Sequence, residues 1–460
     1  MEQIRPKPAA VPGTRRDFIK QTATAAAALA ATGLLRTPIY GQDAAPSVNV
    51  TGANSKIALG FVGVGNQGLN AHLINILQNS KENNVAAVAV CDVSKYRQSE
   101  AQKAVEAKGG QAGVYEDYRK LLERKDVDAI FCSTVDHWHA RVTVDAMNAG
   151  KHVFVEKPMT RYLDEAFEVY DTVKKTGKVF QVGSHGCSDM KWHEAAALIR
   201  AGKIGKVVMS QGSFMRNKPA GDWNYNIQAW CTPEDVNWKL WHGDQVKTRK
   251  EFSAADYFRW RKYYPYCAGL LGDLVPHRAH PHLLATGNPE FPVRVSAVGS
   301  QPIHTDRNTP GTPERDSPEI VQVIAEFPSG MVLHITSSTV SEQGTQEMIR
   351  GHRAYLLMGG NRVELKPERP FSEEIDPYTS EPFAPESFPA HQKNFFDAIR
   401  GVAKPNADIE LAIRVQTIVS LAEMSDRLSS MCRFDEKTRK ITDGCGKELN
   451  PITYGTLELS

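Results

Sequence analysis

The sequence predicts an α/β protein built on a parallel sheet with helical crossovers, and three observations carry that prediction. Short β-branched runs alternate with helical stretches from Lys56 onward. A G-x-G-x-x-G, Gly63-Val64-Gly65-Asn66-Gln67-Gly68, stands between the first such run and the first helix. The second run, Val85 to Val90, ends in Cys91-Asp92, which puts an acid at the end of a strand. A glycine-rich turn alone is a weak signal. Set between strand and helix and followed by such an acid, it specifies a dinucleotide-binding Rossmann unit.

A chain of 460 residues exceeds one ordinary core, so two domains with appendages are expected. Residues 1–45 read as a signal peptide and linker. Thr14-Arg15-Arg16-Asp17-Phe18-Ile19-Lys20 precedes the run TATAAAALAATGLL (Thr22 to Leu35), the pattern of a twin-arginine export signal. That run is too feebly apolar to hold a stable membrane anchor. The mature protein is expected outside the cytoplasm, in the periplasm or its equivalent, after cleavage between Tyr40 and Ser47. The twin-arginine route carries folded cargo, so export and a cofactor carried inside the protein predict each other.

The Rossmann domain is assigned to residues 56–180. Its first strand is Ile57 to Val62 and its first helix Leu69 to Gln78. Gly63 permits the tight turn, Gly65 lets the backbone approach a pyrophosphate, and Gly68 lets helix and sheet pack closely. Asn66 and Gln67 lie within the same turn. Asp92 is placed to accept the ribose hydroxyls and to repel a 2′-phosphate, which favours NAD; Lys95 and Arg97 nearby keep NADP open. Further strands are expected at Ala129 to Ser133, His152 to Glu156 and Val179 to Val182. Thr134 and Glu156, at the ends of these strands, and His137 and His139, in the His-Trp-His turn that opens the following helix, join the cofactor-binding set.

Residues 130 to 160 read IFCSTVDHWHARVTVDAMNAGKHVFVEKPMT. With GFVGVGNQG upstream, this stretch resembles the Gfo/Idh/MocA family, named for glucose-fructose oxidoreductase and inositol dehydrogenase. The resemblance extends from Lys56 to about Ser430. It implies a second α/β domain, residues 181–430, whose open, mainly antiparallel sheet forms the substrate face and often the interface of a dimer or tetramer. It further implies that Lys157, the lysine of Glu156-Lys157-Pro158, sits between nicotinamide and substrate, with a cis bond before Pro158. Downstream, Asp273 and His277 match an Asp and a His four residues on. On one helix they would share a face, His277 serving as general base and Asp273 orienting it or contacting a neighbouring hydroxyl.

Two departures from the family pattern follow. Where relatives often carry H-x-x-D, this chain has His277-Arg278-Ala279-His280-Pro281-His282. Asp273, His277, His280 and His282 are donors that suit a divalent metal; the reading preferred is no metal, with His280 a substrate contact. After Gln181-Val182-Gly183, His185 stands where relatives often have Gln or Arg, and it too is assigned to substrate. Five of the seven tryptophans fall between Asp222 and Tyr266. Of this aromatic segment Trp260 and Arg261 are assigned to a carbohydrate, whose apolar C–H faces pack on rings, and the rest to core or interface.

Strands are expected at Val293 to Gly299, Ile320 to Phe327 and Met331 to Ser337, and helices at His391 to Ile399 and Asp408 to Ser429. The loop Gln301 to Pro318, with His304, Asp306 and Arg307, is read as reaching a neighbouring subunit or covering the cleft. Residues 431–460 are read as a short irregular tail. The net charge of +2 lacks the basic excess of a nucleic-acid partner. Seven scattered cysteines without C-x-x-C indicate no disulfide framework, with Cys432 and Cys445 left as a pair that export could oxidise.

These readings converge on an exported NAD(P)-dependent oxidoreductase that oxidises or reduces a ring hydroxyl of a sugar, glycoside or cyclitol with a retained cofactor. An alternative is redox-neutral glycoside hydrolysis or elimination through a transient 3-keto sugar. A non-catalytic carbohydrate-binding protein is a third reading, against which the presence of Lys157, Asp273 and His277 together counts.

Overall fold

The computed structural model describes residues 56–247, 251–287, 289–303 and 314–453. The twin-arginine segment and His304, Asp306 and Arg307 lie outside the described residues. Six parallel strands form the first sheet: β1 Ile57–Val62, β2 Val85–Cys91, β3 Gly113–Tyr115, β4 Ala129–Cys132, β5 His152–Val155 and β6 Phe180–Val182. Their order is β3-β2-β1-β4-β5-β6, so the chain reverses direction across the sheet beside β1. Nearly every residue of β1, β4 and β5 is buried, as a sheet covered on both faces requires. One face is covered by Leu73 and Ile76 and also by Phe395, Phe396 and Ile399, from the distant helix Phe388–Ile399.

The second sheet has twelve strands. Its centre is β7 Val207–Asn217, followed in sequence by β8 Arg294–Ser300, β9 Ile320–Glu326, β10 Val332–Ser338, β11 Val340–Ser341, β12 Met348–Gly351, β13 Ala354–Leu357, β14 Glu364–Pro367 and β15 Tyr378–Thr379. Only the β7–β10 pairing is parallel; the rest are antiparallel, as the resemblance implied. The irregular tail expected after residue 430 is corrected. Cys432–Asp435 (β16), Lys440–Asp443 (β17) and Glu448–Leu449 (β18) extend this sheet beyond β8. Cys432, Phe434 and Ile441 face inward while Arg433 and Asp435 face out, an alternation too short to stand out in a polar stretch.

The long helix Ile409–Arg427 joins the two sheets' cores and is buried along almost its whole length. Glu423 on this helix receives two hydrogen bonds from Arg161, Nη1 at 2.6 Å and Nη2 at 2.8 Å, with both side chains buried. Burial of such a pair is tolerated because the guanidinium is held at both nitrogens, and Tyr264 O accepts from it as well. The contact fixes the turn after β5, which carries Lys157. The Lys157–Pro158 peptide is cis. All seven cysteines are free, with Cys432 buried and Cys445 exposed. Among the described residues no helix is long and apolar enough to cross a membrane.

Candidate active site

A cleft of about 880 Å³ opens at the carboxyl ends of β1, β2, β4 and β5, where an open parallel sheet presents its ligands. Gly63 lies at φ +80°, and a Cβ there would come within 2.7 Å of the Ser133 and Thr134 backbone. A Cβ on Gly68 would stand 2.0 Å from Gly63 O, so helix and strand touch there. At Gly65 a Cβ would meet nothing within 4 Å, which leaves an open cradle above a closed turn. The three glycines thus divide their work as a pyrophosphate site demands. Asn66, Gln67, Thr134 and His139 line the same cleft.

Asp92 lines the cleft with its oxygens held in place: Oδ2 accepts from Val64 N at 2.9 Å and Oδ1 from Ser94 N at 3.0 Å. Burial pushes its carboxyl up to about 6 against these hydrogen bonds. Glu156 Oε1 accepts from Gln67 Nε2 at 3.0 Å and is 2.7 Å from His72 Nε2; Oε2 accepts from Lys157 N at 3.2 Å. Burial alone would raise the Glu156 carboxyl, but the His72 contact and the neighbouring charges hold it well below the usual range. Gln392 Nε2 contacts His72 Nδ1 at 3.1 Å, so a chain of polar groups from the far helix sets this carboxylate.

Beyond Glu156 comes the reactive cluster. Lys157 Nζ donates to Asp273 O at 2.9 Å and to Asp273 Oδ1. Arg261 Nε donates to Oδ1 at 3.3 Å and Trp223 Nε1 to Oδ2 at 3.2 Å. Burial works to raise the Asp273 carboxyl, but the Lys157 and Arg261 charges hold it far below its ordinary value. His277 lies half-buried against Phe214, ring centroids 5.0 Å apart, and forms a T-shaped pair with His185 at 5.8 Å. Burial first, and then the Lys157 charge, push the His277 pKa well below the usual histidine value, so the ring is neutral at neutral pH. A neutral imidazole beside an ammonium can take a proton from a hydroxyl held between them.

One expectation about this cluster is corrected, and one alternative is left without support. Asp273 and His277 do not share a helix face: Leu270–Asp273 and Val275–Ala285 are separate helices meeting at Leu274. The Asp273 carboxylate therefore serves Lys157 rather than orienting His277. The metal-binding alternative is not assembled either. His282 Nδ1 contacts Ser210 Oγ at 2.6 Å and its Nε2 contacts Glu347 Oε1 at 2.7 Å, while His280 Nδ1 contacts Pro276 O at 2.9 Å. Among the described residues no three His, Cys, Asp or Glu are placed to hold a metal ion.

His280 is buried outside the cleft lining, so its assignment to substrate is corrected as well. His137 likewise lies outside that lining: its Nε2 is 3.1 Å from both Trp241 O and His242 O, making it a tie between domains. His139, by contrast, links the Thr134 and Pro158 turns through their carbonyls. Trp260 and Arg261 line the cleft and stack on one another at 4.1 Å.

His185 also lines the cleft, stacked on Phe388 at 4.1 Å, with Nε2 3.6 Å from Glu386 Oε1. Sequence reasoning missed Glu386 and Phe388. Glu386 just precedes the helix Phe388–Ile399 and Phe388 is its first residue, on either side of the cap Ser387, and no motif surrounds them. Arg216 and Arg278, which flank the Phe214 ring at 5.0 and 5.2 Å, were equally silent.

Over residues 57–184 the chain matches the Gfo/Idh/MocA model, described as an oxidoreductase family with an NAD-binding Rossmann fold. The match covers the first sheet and its helices and extends no further into the chain. The glycine cradle and Asp92 lie inside the matched segment, and their geometry fits the NAD that such a Rossmann fold binds. Among curated proteins the chain is 27% identical over 207 residues to an alpha-N-acetylgalactosaminidase of Shewanella oneidensis, covering 41% of this chain and 42% of that protein. It is 29% identical over 245 residues to a glycosyl hydrolase family 109 protein of Saccharopolyspora erythraea, covering 48% and 51%. The matched stretch thus spans about half the length of these relatives. Among solved structures, levoglucosan dehydrogenase with NADH and levoglucosan aligns at TM-score 0.63 and 17% identity, covering 82% of this chain and 99% of that one. An aldose-aldose oxidoreductase from Caulobacter crescentus aligns at TM-score 0.60 and 17% identity, covering 82% and 100%. At these identities the likeness is one of fold.

Proposed function

We propose that this protein is exported by its twin-arginine signal and oxidises a ring hydroxyl of a sugar, glycoside or cyclitol with an NAD that stays bound. The observation that carries the reading is the neutral His277 imidazole beside the Asp273-anchored Lys157 ammonium, in the same cleft as the glycine cradle. The substrate hydroxyl lies between them. His277 takes its proton, and the Lys157 ammonium, held by Asp273, stabilises the charge that develops on oxygen. Bound NAD supplies the acceptor for the electron pair that leaves carbon. Trp260 and Arg261 give a ring and a cation to the sugar, and Asp92 favours NAD over NADP.

A second reading, redox-neutral glycoside cleavage through transient oxidation, is favoured by one feature. His185, paired with Glu386, places a second proton-transfer group across from His277. The names of the curated relatives point the same way. A homo-oligomer, dimer or tetramer, is supported by Val298 and Ile324, which are 69% and 49% exposed on β8 and β9.

The test is to purify the mature protein, identify any released cofactor and follow reduced-nicotinamide absorbance while sugars and glycosides are added. Lasting reduction supports net oxidation with a separate acceptor. Aglycone release without lasting reduction puts the redox-neutral reading first, and neither response to any sugar overturns both.

A further inference from the structure

The aromatic segment after Asp222 does something its composition did not announce: part of it crosses the NAD groove. The groove has two banks, the chain following β2 and the chain following β4, since a dinucleotide lies across the carboxyl ends of these strands. On the first bank the crossing segment forms a one-residue antiparallel bridge, Val236 with Ser94. Asn237 N donates to Val93 O at 2.8 Å and Lys95 N to Asp235 O at 3.1 Å. The Asp235 carboxylate accepts from Ser94 Oγ at 2.6 Å and from Tyr96 N at 2.9 Å. Lys95 Nζ donates to Glu234 O at 2.7 Å, and Trp230 stacks on Tyr96 with centroids 4.5 Å apart and 11° between planes.

On the second bank the same segment is tied again. Trp138 Nε1 donates to Trp241 O at 2.7 Å, and His137 meets Trp241 O and His242 O. Between the banks, Trp230, Leu240 and Trp241 line the cleft together with Asp92 and Tyr96. Lys95 and Arg97, the two cations that left NADP open, are both engaged here, Lys95 by Glu234 and Arg97 by the Trp230 face at 5.2 Å.

We infer that residues 230–242 are a clasp, anchored on both banks of the groove, that roofs the adenosine half of bound NAD and keeps it from leaving between turnovers. This rests on the retained-cofactor reading above and supplies its physical means. Several hydrogen bonds and an aromatic stack on one bank must open together before a ligand beneath them can leave. Such cooperative contacts act chiefly on the rate of release. The segment belongs to the second domain, so the substrate domain itself holds the cofactor in the first.

The experiment uses the full mature chain loaded with labelled NAD and chased with excess unlabelled NAD. Asp235→Asn and Trp230→Ala are expected to speed release roughly tenfold to a hundredfold. Hydrogen exchange of the unmutated chain, with and without NAD, gives a second readout that needs no variant. Residues 234–237 and 93–96 are expected to gain protection when NAD binds. Slow release that neither substitution changes, or exchange there that NAD leaves unchanged, overturns the clasp while leaving a retained cofactor intact. Fast release from the unmutated chain overturns both the clasp and the retained-cofactor reading.

Discussion

The two ends of the cleft are built on different plans. The dinucleotide end is made largely by one unbroken stretch, the turn from Gly63 to Gly68, in which backbone conformation and the lack of side chains do the work. The reactive end gathers side chains from separate elements: Lys157 after β5, His185 after β6, Asp273 and His277 on adjoining helices, and Glu386 before a helix that belongs to the first sheet's core. A local site tolerates change elsewhere in the chain, whereas an assembled one depends on every element that contributes. Substitutions at the two ends should therefore fail in different ways.

The largest expected effect is at Lys157. Lys157→Ala should lower kcat/KM for sugar oxidation by about a thousandfold or more, while NAD titration shows nearly unchanged affinity. Equal losses in both would erase the distinction between the ends. Gly68→Ala should do the reverse, because its Cβ would lie 2.0 Å from Gly63 O. A clash of that kind costs about 1–3 kcal/mol, and both the melting temperature and NAD binding should fall together.

His277→Asn should reduce turnover about a hundredfold. Its pKa lies below the ordinary value in the folded protein, so the base remains free as acidity increases. The rate should accordingly stay flat as pH drops through about 6.5 and decline only well below it. A decline centred on the ordinary histidine value would exclude His277 as the base. Glu386→Gln removes the charge facing His185 and should cost roughly tenfold, more on substrates with poor leaving groups if cleavage is the reaction. Comparing aryl and alkyl glycosides checks this. The smallest effect is expected at Asp92, where Asp92→Ala should move the NAD to NADP preference by roughly tenfold, measured as the ratio of dissociation constants.

The first sheet was legible because its strands are buried on both faces and read as apolar runs broken by glycine and acid. Only β3 escaped, since three residues starting with glycine carry no pattern. The second domain was harder. Half-exposed strands such as β7, β12 and β13 mix polar and apolar residues, and the strands after residue 430 are too short for alternation to register. At the site, Lys157, Asp273, His277 and His185 were all foreseen, and the structure brings them to one cleft. His137 and His280 were drawn in by proximity in sequence to functional residues, yet their rings turn into contacts with backbone carbonyls instead.

What the sequence determined by itself is what depends on local geometry. A turn that needs positive φ at Gly63 and no Cβ at Gly68 can be written only with glycine, and a doubly covered strand only with apolar residues. Tertiary structure decided which distant groups meet. Asp273 anchors Lys157, Glu386 faces His185, and Asp235 reaches across to Ser94 and Tyr96. These pairings depend on where helices and strands far apart in the chain come to pack, and charge or aromatic character at a single position carries no record of the partner that packing will bring.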